Sequence, residues 1–295
     1  MRRLELTVTA AQSGTKVDTL LKKHLNLSGT VVRRIKWLED GILVDGKRVN
    51  TRFCPVEGQV LSVRLSDPER RSGIVSAPGA LDIVYEDEDV IVLNKAPGVP
   101  VHPGPGHYDD TLGNFLLYYY DQAGIEGDFH PIHRLDRGTS GLIVAAKHPH
   151  AQEVLKNQLH TDSFRREYLA VCEGVPHPAA GVIDAPLGSK DGSLVEQQVR
   201  PDGKQARTHY EVLEPRNGRA LLRLVLDTGR THQIRVHMAY VGHPLVGDFL
   251  YGREDHSLIP RPALHSASLS FLHPITGEAL AFSAPLPADM EKLLK

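Results

Sequence analysis

Residues 130–147 read "HPIHRLDRGTSGLIVAAK". Asp136 stands between Arg134 and Arg137, small flexible residues follow it, and from Leu142 the chain becomes apolar and β-branched, as a buried strand does. The plainest use for an Asp before Gly-Thr-Ser-Gly is to hydrogen-bond a turn. A turn at a strand end is also where a rigid sheet presents a reactive side chain. The rest of the chain decides between the two.

Outward from this stretch, "LDIVYEDEDVIVLNK", "SGLIVAAK", "REYLAVCEG", "RTHYEVLE" and "RALLRLVLDTG" read as strands, with β-branched or alternating apolar residues. Helical spacing is confined to "TLGNFLLYYYDQAG", "PHAQEVLKNQLH" and a segment from about His232. Strands outnumber helices and do not alternate regularly with them. The expected fold class is therefore α+β, a mixed and mostly antiparallel sheet flanked by helices, rather than a doubly wound parallel sheet. This catalytic-type body is expected over residues 81–295, after a linker at 67–80 rich in Pro, Gly, Ser and charge.

Ahead of the linker, residues 1–72 form a separate α/β module with its core at 14–66. Val17, Leu20, Leu21 and Leu25 mark one short amphipathic helix; Val31, Ile35 and Leu38 mark a second, with Ser28 as N-cap and Gly41 as stop. Ile42 and Val44 then alternate into an Asp-Gly hairpin. Arg33, Arg34 and Lys36 fall away from the apolar stripe, where they can follow a phosphate backbone or simply solvate the helix.

Charge divides the same way. Residues 1–72 carry 14 Lys and Arg against 8 Asp and Glu, and the remainder carries 20 against 28, although the whole chain is only −2. A basic end on an acidic body suits one part gripping a polyanion while the other does chemistry. No apolar run reaches the roughly 18 residues of a membrane span, and the first residues lack a secretory pattern, so a cytoplasmic protein is expected. Cys54 and Cys172 are far apart and offer neither a disulfide framework nor a thiolate zinc site. His102, His133, His232 and His237 lie in motif segments but show no ligand spacing, so no metal and no cofactor is expected.

Four segments carry Arg, His, Asp or Tyr at a strand-to-turn junction: "NKAPGVPVHPG", "HRLDRGTSGL", "RREYLAVCEG" and "DTGRTHQIRVHMAYVGHPLVGD". In order and spacing they resemble the RNA pseudouridine synthases of the RluA/RluD type, from about residue 81 to the end. The N-terminal helix, helix and "GILVDGKRVN" hairpin resemble the alpha-L RNA-binding module. The resemblance implies an isomerase that turns uridine in RNA into its C-glycoside, most of all in large-subunit ribosomal RNA, with transfer RNA as the second substrate class. It implies no cofactor and a monomer.

By the same resemblance Asp136 is the nucleophile, Arg235 of "HQIRVH" its ion-pair partner, and Tyr168 of "REYLAV" the ring that packs on the target uracil. Arg134 is expected to hold the RNA opened when the base is extruded. His133, Lys95 and His102 are expected at the substrate, with Gly98 shaping the wall and Leu187 or Ile234 lining the opposite side. The residue types suit the chemistry: a carboxylate attacks when ionised and can leave again, and an arginine beside it favours the charged form, typically by about 1 to 3 pKa units. A flat ring supports a base while letting it turn. "NKAPG" has Ala96 where the family more often has proline, and "RREY" has Arg166 where lysine is usual. Two other classes compete: an RNA-binding factor without catalysis, and a glycosidase pairing Asp136 with Glu167 or Asp227 at roughly 5 to 10 Å.

Overall fold

A computed structural model of the chain describes residues 1–66, 69–159 and 161–295. The N-terminal part holds β1 (Arg3–Thr7), α1 (Val17–Lys23), α2 (Gly29–Ile35), β2 (Ile42–Val44), β3 (Lys47–Arg48) and β4 (Val60–Arg64). Its sheet runs β1-β4-β2-β3, antiparallel throughout. Val17, Leu20 and Leu21 of α1 and Val31, Val32 and Ile35 of α2 close over Ile42, Val44, Leu61 and Val63 as one apolar cluster. The Ser28 hydroxyl accepts from Val31 N at 3.2 Å, a cap worth about 1 kcal/mol. α2 ends at Ile35, short of the expected stop at Gly41, where a Cβ would lie 1.9 Å from the Ile35 carbonyl oxygen because the chain folds back over the helix end. The expected core at 14–66 omits β1, which closes the sheet against β4.

The remaining elements are β5 (Ile83–Glu86), β6 (Val90–Lys95), α3 (Leu112–Ala123), β7 (His130–Pro131), β8 (Ser140–Ala146), α4 (Pro149–Gln158), β9 (Arg165–Glu173) and β10 (Ala180–Asp184). They continue with β11 (Leu187–Ser189), β12 (Gln197–Val199), β13 (Arg207–Arg216), β14 (Arg219–Leu226), α5 (Gln233–Tyr240), β15 (Leu264–Leu272), β16 (Ala279–Ser283) and α6 (Ala288–Glu291). One large sheet has the order β10-β13-β14-β9-β15-β8-β6-β5, with β16 on β15 and β7 on β8, while β11 and β12 pair separately. Only the β15–β8 pair is parallel among the described residues, so the α+β class with a mixed, mostly antiparallel sheet is what the chain forms.

Alternation along the central strands builds two layers of core. Ile91, Leu93, Ile143 and Ala145 face α3 and its Leu116, Leu117 and Tyr120. Val90, Val92, Leu142, Val144 and Ala146 face the opposite way, against Ala151 and Leu155 of α4. Both faces of β8 are thus covered, which is why its sequence is apolar without interruption.

Gly141 sits at φ +105°, and a Cβ there would fall 2.2 Å from the Ser266 carbonyl oxygen and 2.7 Å from its nitrogen. Only glycine lets β15 approach this closely, immediately after the Asp136 turn. Ser140 Oγ and His265 Nδ1 meet at 2.9 Å across the same crossing.

Three expectations change. The stretch 81–95 is a hairpin rather than one strand, since Asp87 Oδ1 accepts from Asp89 N at 2.7 Å and Val90 N at 2.8 Å and turns the chain. β7, β10, β11, β12, β15 and β16 were not anticipated. Of the expected linker, residues 67 and 68 lie outside the described residues; the rest has no regular structure yet is strapped to the body. Arg70 bonds Asp121 at 2.6 Å, the Arg71 and Ser72 amides donate to Asp128, and Asn114 Nδ2 donates to the Val75 carbonyl.

The module and the body also pair charges directly. Arg2 binds Glu88 at 2.7 Å and Asp89 at 2.9 Å, Arg64 binds Glu126 at 2.9 Å, the Ser28 hydroxyl donates to Glu153 at 2.6 Å, and Ile275 packs on the module's core. Part of the basic excess at the N-terminal end is therefore spent on the acidic body, not on a polyanion.

Candidate active site

Asp136 lies in the turn between β7 and β8, closed by Thr139 N donating to its carbonyl at 3.0 Å. The backbone makes the turn and leaves the carboxylate 27% exposed, so the turn does not consume the acid. The turn is braced from beneath by "NKAPG". Lys95 donates to the carbonyls of Ala96 at 2.8 Å, Val99 at 2.9 Å and Arg137 at 3.2 Å, and the Gly98 amide donates to the Arg137 carbonyl at 2.8 Å.

Arg235 arrives from α5, 99 positions along the chain, and its Nη1 donates to Asp136 Oδ2 at 3.3 Å. Its Nε and Nη2 donate to the two oxygens of Asp248 at 2.7 and 2.8 Å. Asp248 is fully buried, and its Oδ1 also accepts the Leu250 and Tyr251 amides at 3.0 and 3.2 Å. The guanidinium further lies 5.1 Å from the Tyr251 ring centre and 5.7 Å from that of Phe249.

His232 caps α5 in the left-handed conformation, φ +55°, which a non-glycine residue adopts only where its surroundings hold it. Its Nδ1 is 2.7 Å from the Tyr251 hydroxyl and its Nε2 3.9 Å from Asp136 Oδ2. Burial, then the Arg235 charge, pull its pKa below the ordinary imidazole value, with Asp136 opposing. The loop before it is locked by Gln233, which accepts from Thr228 Oγ1 at 2.8 Å and Arg230 N at 3.0 Å and donates to the Arg207 carbonyl at 2.9 Å.

Tyr168 comes from β9, in register with Leu224 and Ser266, and is 4% exposed. Burial raises its phenol pKa; the nearby Arg166 charge opposes this and the Asp136 charge adds to it. Asp136, Tyr168 and Arg235 thus converge from three separate segments.

Arg134 reaches over the surface to donate to Thr231 Oγ1 at 3.4 Å. Thr231 borders a cavity of about 510 Å³ lined also by Leu187, Gly188, Lys204, Gly229 and Arg230. Lys204 and Arg230 have no carboxylate partner among the described residues, and Arg230 spends only its Nε, on the Gln205 carbonyl at 3.0 Å. His102 is exposed, edge-on to Phe129 at 4.9 Å. Partial desolvation by its neighbours, then the charge of Arg134, lowers its pKa although one edge of the residue meets solvent.

Two residues expected at the substrate are instead inside the protein. His133 packs edge-on to Phe164 at 6.0 Å, and burial pushes its pKa down to about 3. Lys95 is 2% exposed, with all its bonds on backbone carbonyls. Burial and the Arg261 charge pull its pKa to about 7, yet three carbonyl acceptors are satisfied only by the three donors of the ammonium. Lys95 braces the turn that bears Asp136 through these bonds, and His133 packs on Phe164 with no hydrogen bond to its ring nitrogens. Ile234 is likewise buried in the main core, whereas Leu187 lines the cavity.

On the module, Arg33 is exposed and its Nη2 donates to Thr30 at 3.1 Å. Lys36 lies over the ring of Trp37 at 4.8 Å, and Trp37 is 76% exposed. Arg34 differs: it is half-buried, and its charge helps to depress the pKa of His130 in the body. It faces the junction, not outward with Arg33, because its position on α2 turns it toward the packed side.

The acids of the glycosidase alternative are occupied or averted. Asp227 pairs with His209 at 3.0 Å, and Glu167 projects from β9 on the face opposite Tyr168. Among the described residues Asp87, Asp89 and His273 are the one group of metal-ligating types that comes together, and Arg2, Tyr85 and His148 already bond to its carboxylates. His237 holds Thr208 at 2.8 Å and the Ala185 carbonyl at 2.9 Å. Asp248, His232 and Tyr251 were missed as site residues. "VGD" closes the last motif segment, but nothing in its spacing from Arg235 announces a two-pronged grip.

The sheet gathers one partly exposed carboxylate, an arginine held from behind and a tyrosine, and nearby Arg134, Lys204 and Arg230 have no carboxylate partner among the described residues, an arrangement suited to a substrate that carries negative charge. Residues 89–240 match the sequence profile of the RNA pseudouridylate synthase family. The chain is 41% identical to the uncharacterized RNA pseudouridine synthase YlyB of Bacillus subtilis (strain 168), over 100% of this chain and 98% of that one. It is 40% identical to ribosomal large subunit pseudouridine synthase D of Vibrio cholerae serotype O1, over 99% and 94%. The solved structure of human RNA pseudouridylate synthase domain containing 1 superposes with a TM-score of 0.59 at 27% identity, covering 70% of this chain and 85% of that one. The chain belongs to the RNA pseudouridine synthase family, and is an isomerase acting on RNA.

Proposed function

We propose that the enzyme converts specific uridines of large-subunit ribosomal RNA to pseudouridine, with Asp136 as the nucleophile acting on a base drawn out of the RNA. The observation that carries this is the Asp136–Arg235 contact at 3.3 Å beside Tyr168. The N1–C1′ bond breaks, uracil turns within the site, C5 bonds to C1′, and a proton leaves C5 as one is gained at N1. Asp136 supplies the carboxylate that attacks and departs, and Arg235 keeps it charged and aimed. Tyr168 supports the turning ring.

Extruding a stacked base costs a few kcal/mol. Arg134, with no carboxylate partner among the described residues, holds the opened strand, and Lys204 and Arg230 in the cavity, where Asp202 is already paired with Arg200, extend the cationic path for its phosphates. On the N-terminal module Arg33 and Lys36 meet the phosphate backbone, and the exposed Trp37 ring offers a surface on which a base can stack. The ribosomal assignment draws on the similarity to the Vibrio cholerae enzyme named for the large subunit.

Pseudouridine mapping across all RNAs of the source organism, in a deletion strain complemented by the native gene or by Asp136→Asn, tests the reading. Loss of particular large-subunit marks that only the native gene restores is the expected result. Loss confined to transfer RNA would move the address, and marks restored by Asp136→Asn would remove the nucleophile.

A further inference from the structure

Arg166 is only 8% exposed, yet it makes no salt bridge with any described residue. It lies two positions before Tyr168 on β9, so both side chains leave the same face of the strand, toward the site. Its guanidinium carbon is 5.9 Å from the Phe164 ring centre, and Nη1 lies 3.4 Å from where a Cβ on Gly229 would stand, beside the loop that leads to Thr231 and His232. Its charge reaches the Tyr168 hydroxyl and contributes to keeping His133 neutral. The acid that shares this neighbourhood, Asp136, is already in contact with Arg235.

A cation buried among an aromatic ring, a neutral imidazole and a phenol is strongly unfavourable without a counter-charge. Sites that tolerate such strain commonly do so because the ligand completes them. A guanidinium also offers five donors in a planar fork suited to oxygens carrying charge.

We propose that Arg166 is the anion-binding residue of this site, completed by a negatively charged oxygen of the substrate nucleotide. The inference rests on the functional reading above and adds to it. The oxygen comes from one of two sources: a backbone phosphate next to the target, or the uracil itself, which carries negative charge once its glycosidic bond has opened.

The test compares Arg166→Met, Arg166→Gln and Arg166→Lys with the native enzyme on a transcript of large-subunit ribosomal RNA, measuring kcat, KM, RNA affinity against salt, and the thermal midpoint. Removing the charge should leave the thermal midpoint of the Met variant unchanged or raised while kcat/KM falls about 100-fold, and lysine should restore much of it. If phosphate is the partner, KM rises, kcat holds and the slope of log affinity against log salt falls by about one. If the uracil is the partner, kcat falls and affinity holds. Should the Met variant fail to fold, the Lys and Gln variants decide: activity that follows the charge supports the proposal, and equal impairment overturns it. A Met variant with lowered thermal midpoint and native kcat/KM also overturns it, since Arg166 is then structural. A native enzyme that forms no pseudouridine would sink the functional reading; no uracil anion then forms, so the salt slope decides Arg166, a lowered slope in the Met variant supporting a phosphate partner and an unchanged one overturning the proposal.

Discussion

Arg235 holds two carboxylates unequally: Asp248 takes its Nε and Nη2 at 2.7 and 2.8 Å, while Asp136 receives only Nη1 at 3.3 Å. The shorter, two-pronged contact fixes the guanidinium plane, and the longer one leaves Asp136 the freedom to part from it that the proposed nucleophile needs. Asp248 is thus a positioning residue. Asp248→Asn keeps the shape and removes the charge behind a buried arginine. The expected loss is about 3 kcal/mol of stability, and kcat should fall at least tenfold. Urea unfolding and single-turnover assays check both, and an Asn variant with native kcat would refute the positioning role.

The roles proposed for Arg134 and Asp136 separate binding from chemistry. Arg134 is exposed with one long bond, to Thr231, so Arg134→Ala should change stability by less than about 0.5 kcal/mol while lowering kcat/KM. Asp136→Asn should abolish turnover and leave RNA affinity near native. Filter binding beside the activity assay distinguishes the two, and a fully active Arg134→Ala would remove it from base extrusion.

Gly141 and Gly138 flank the same turn but should respond very differently to alanine. A Cβ on Gly141 meets Ser266 backbone at 2.2 Å in a left-handed conformation, whereas one on Gly138 meets Pro262 Cδ at 3.0 Å. Gly141→Ala should cost more than about 4 kcal/mol and Gly138→Ala much less. Comparable unfolding midpoints would contradict the close crossing of β8 and β15.

Acid should unfold the protein partly through buried imidazoles. Burial lowers the pKa of His133 to about 3 and of His130 and His150 to about 4, against about 6.5 in an unfolded chain. Between those values the unfolded chain binds more protons, so stability rises with pH and is lost as pH falls from about 6.5 toward 4. Each group contributes at most about 1.4 kcal/mol per pH unit. Denaturant titrations at several pH values should show this slope, and His133→Leu should reduce it.

Much of this was legible in residue pattern. The uninterrupted apolar run of β8, the alternation in β13 and β14 and the helical spacing of α3 are local signals, and local signals survive reading one residue at a time. β15 was not, because "LHSASLSFL" buries His265 and Ser266 where a pattern reader expects solvent. The hairpin at 81–95 was hidden by a turn made of acids, Glu86 to Asp89, with no glycine or proline to mark it. At the site, the motifs brought Asp136, Tyr168 and Arg235 to notice, but a motif does not tell an exposed side chain from a supporting one. The burial of His133 and Lys95 could not be read from it, and Asp248 went unassigned.

The parallel pairing of β8 with β15 joins residues 125 positions apart, Ser140 to His265, and Arg235 reaches Asp136 across 99. Local contacts cannot assemble such a site, and long loops must close before it exists. On the ribosome, a nascent chain that has emerged past Asp136 and Tyr168 still lacks both the arginine and the strand that set the acid in place. Turnover therefore reports a finished polypeptide, and fragments released early should be inert even when they carry Asp136.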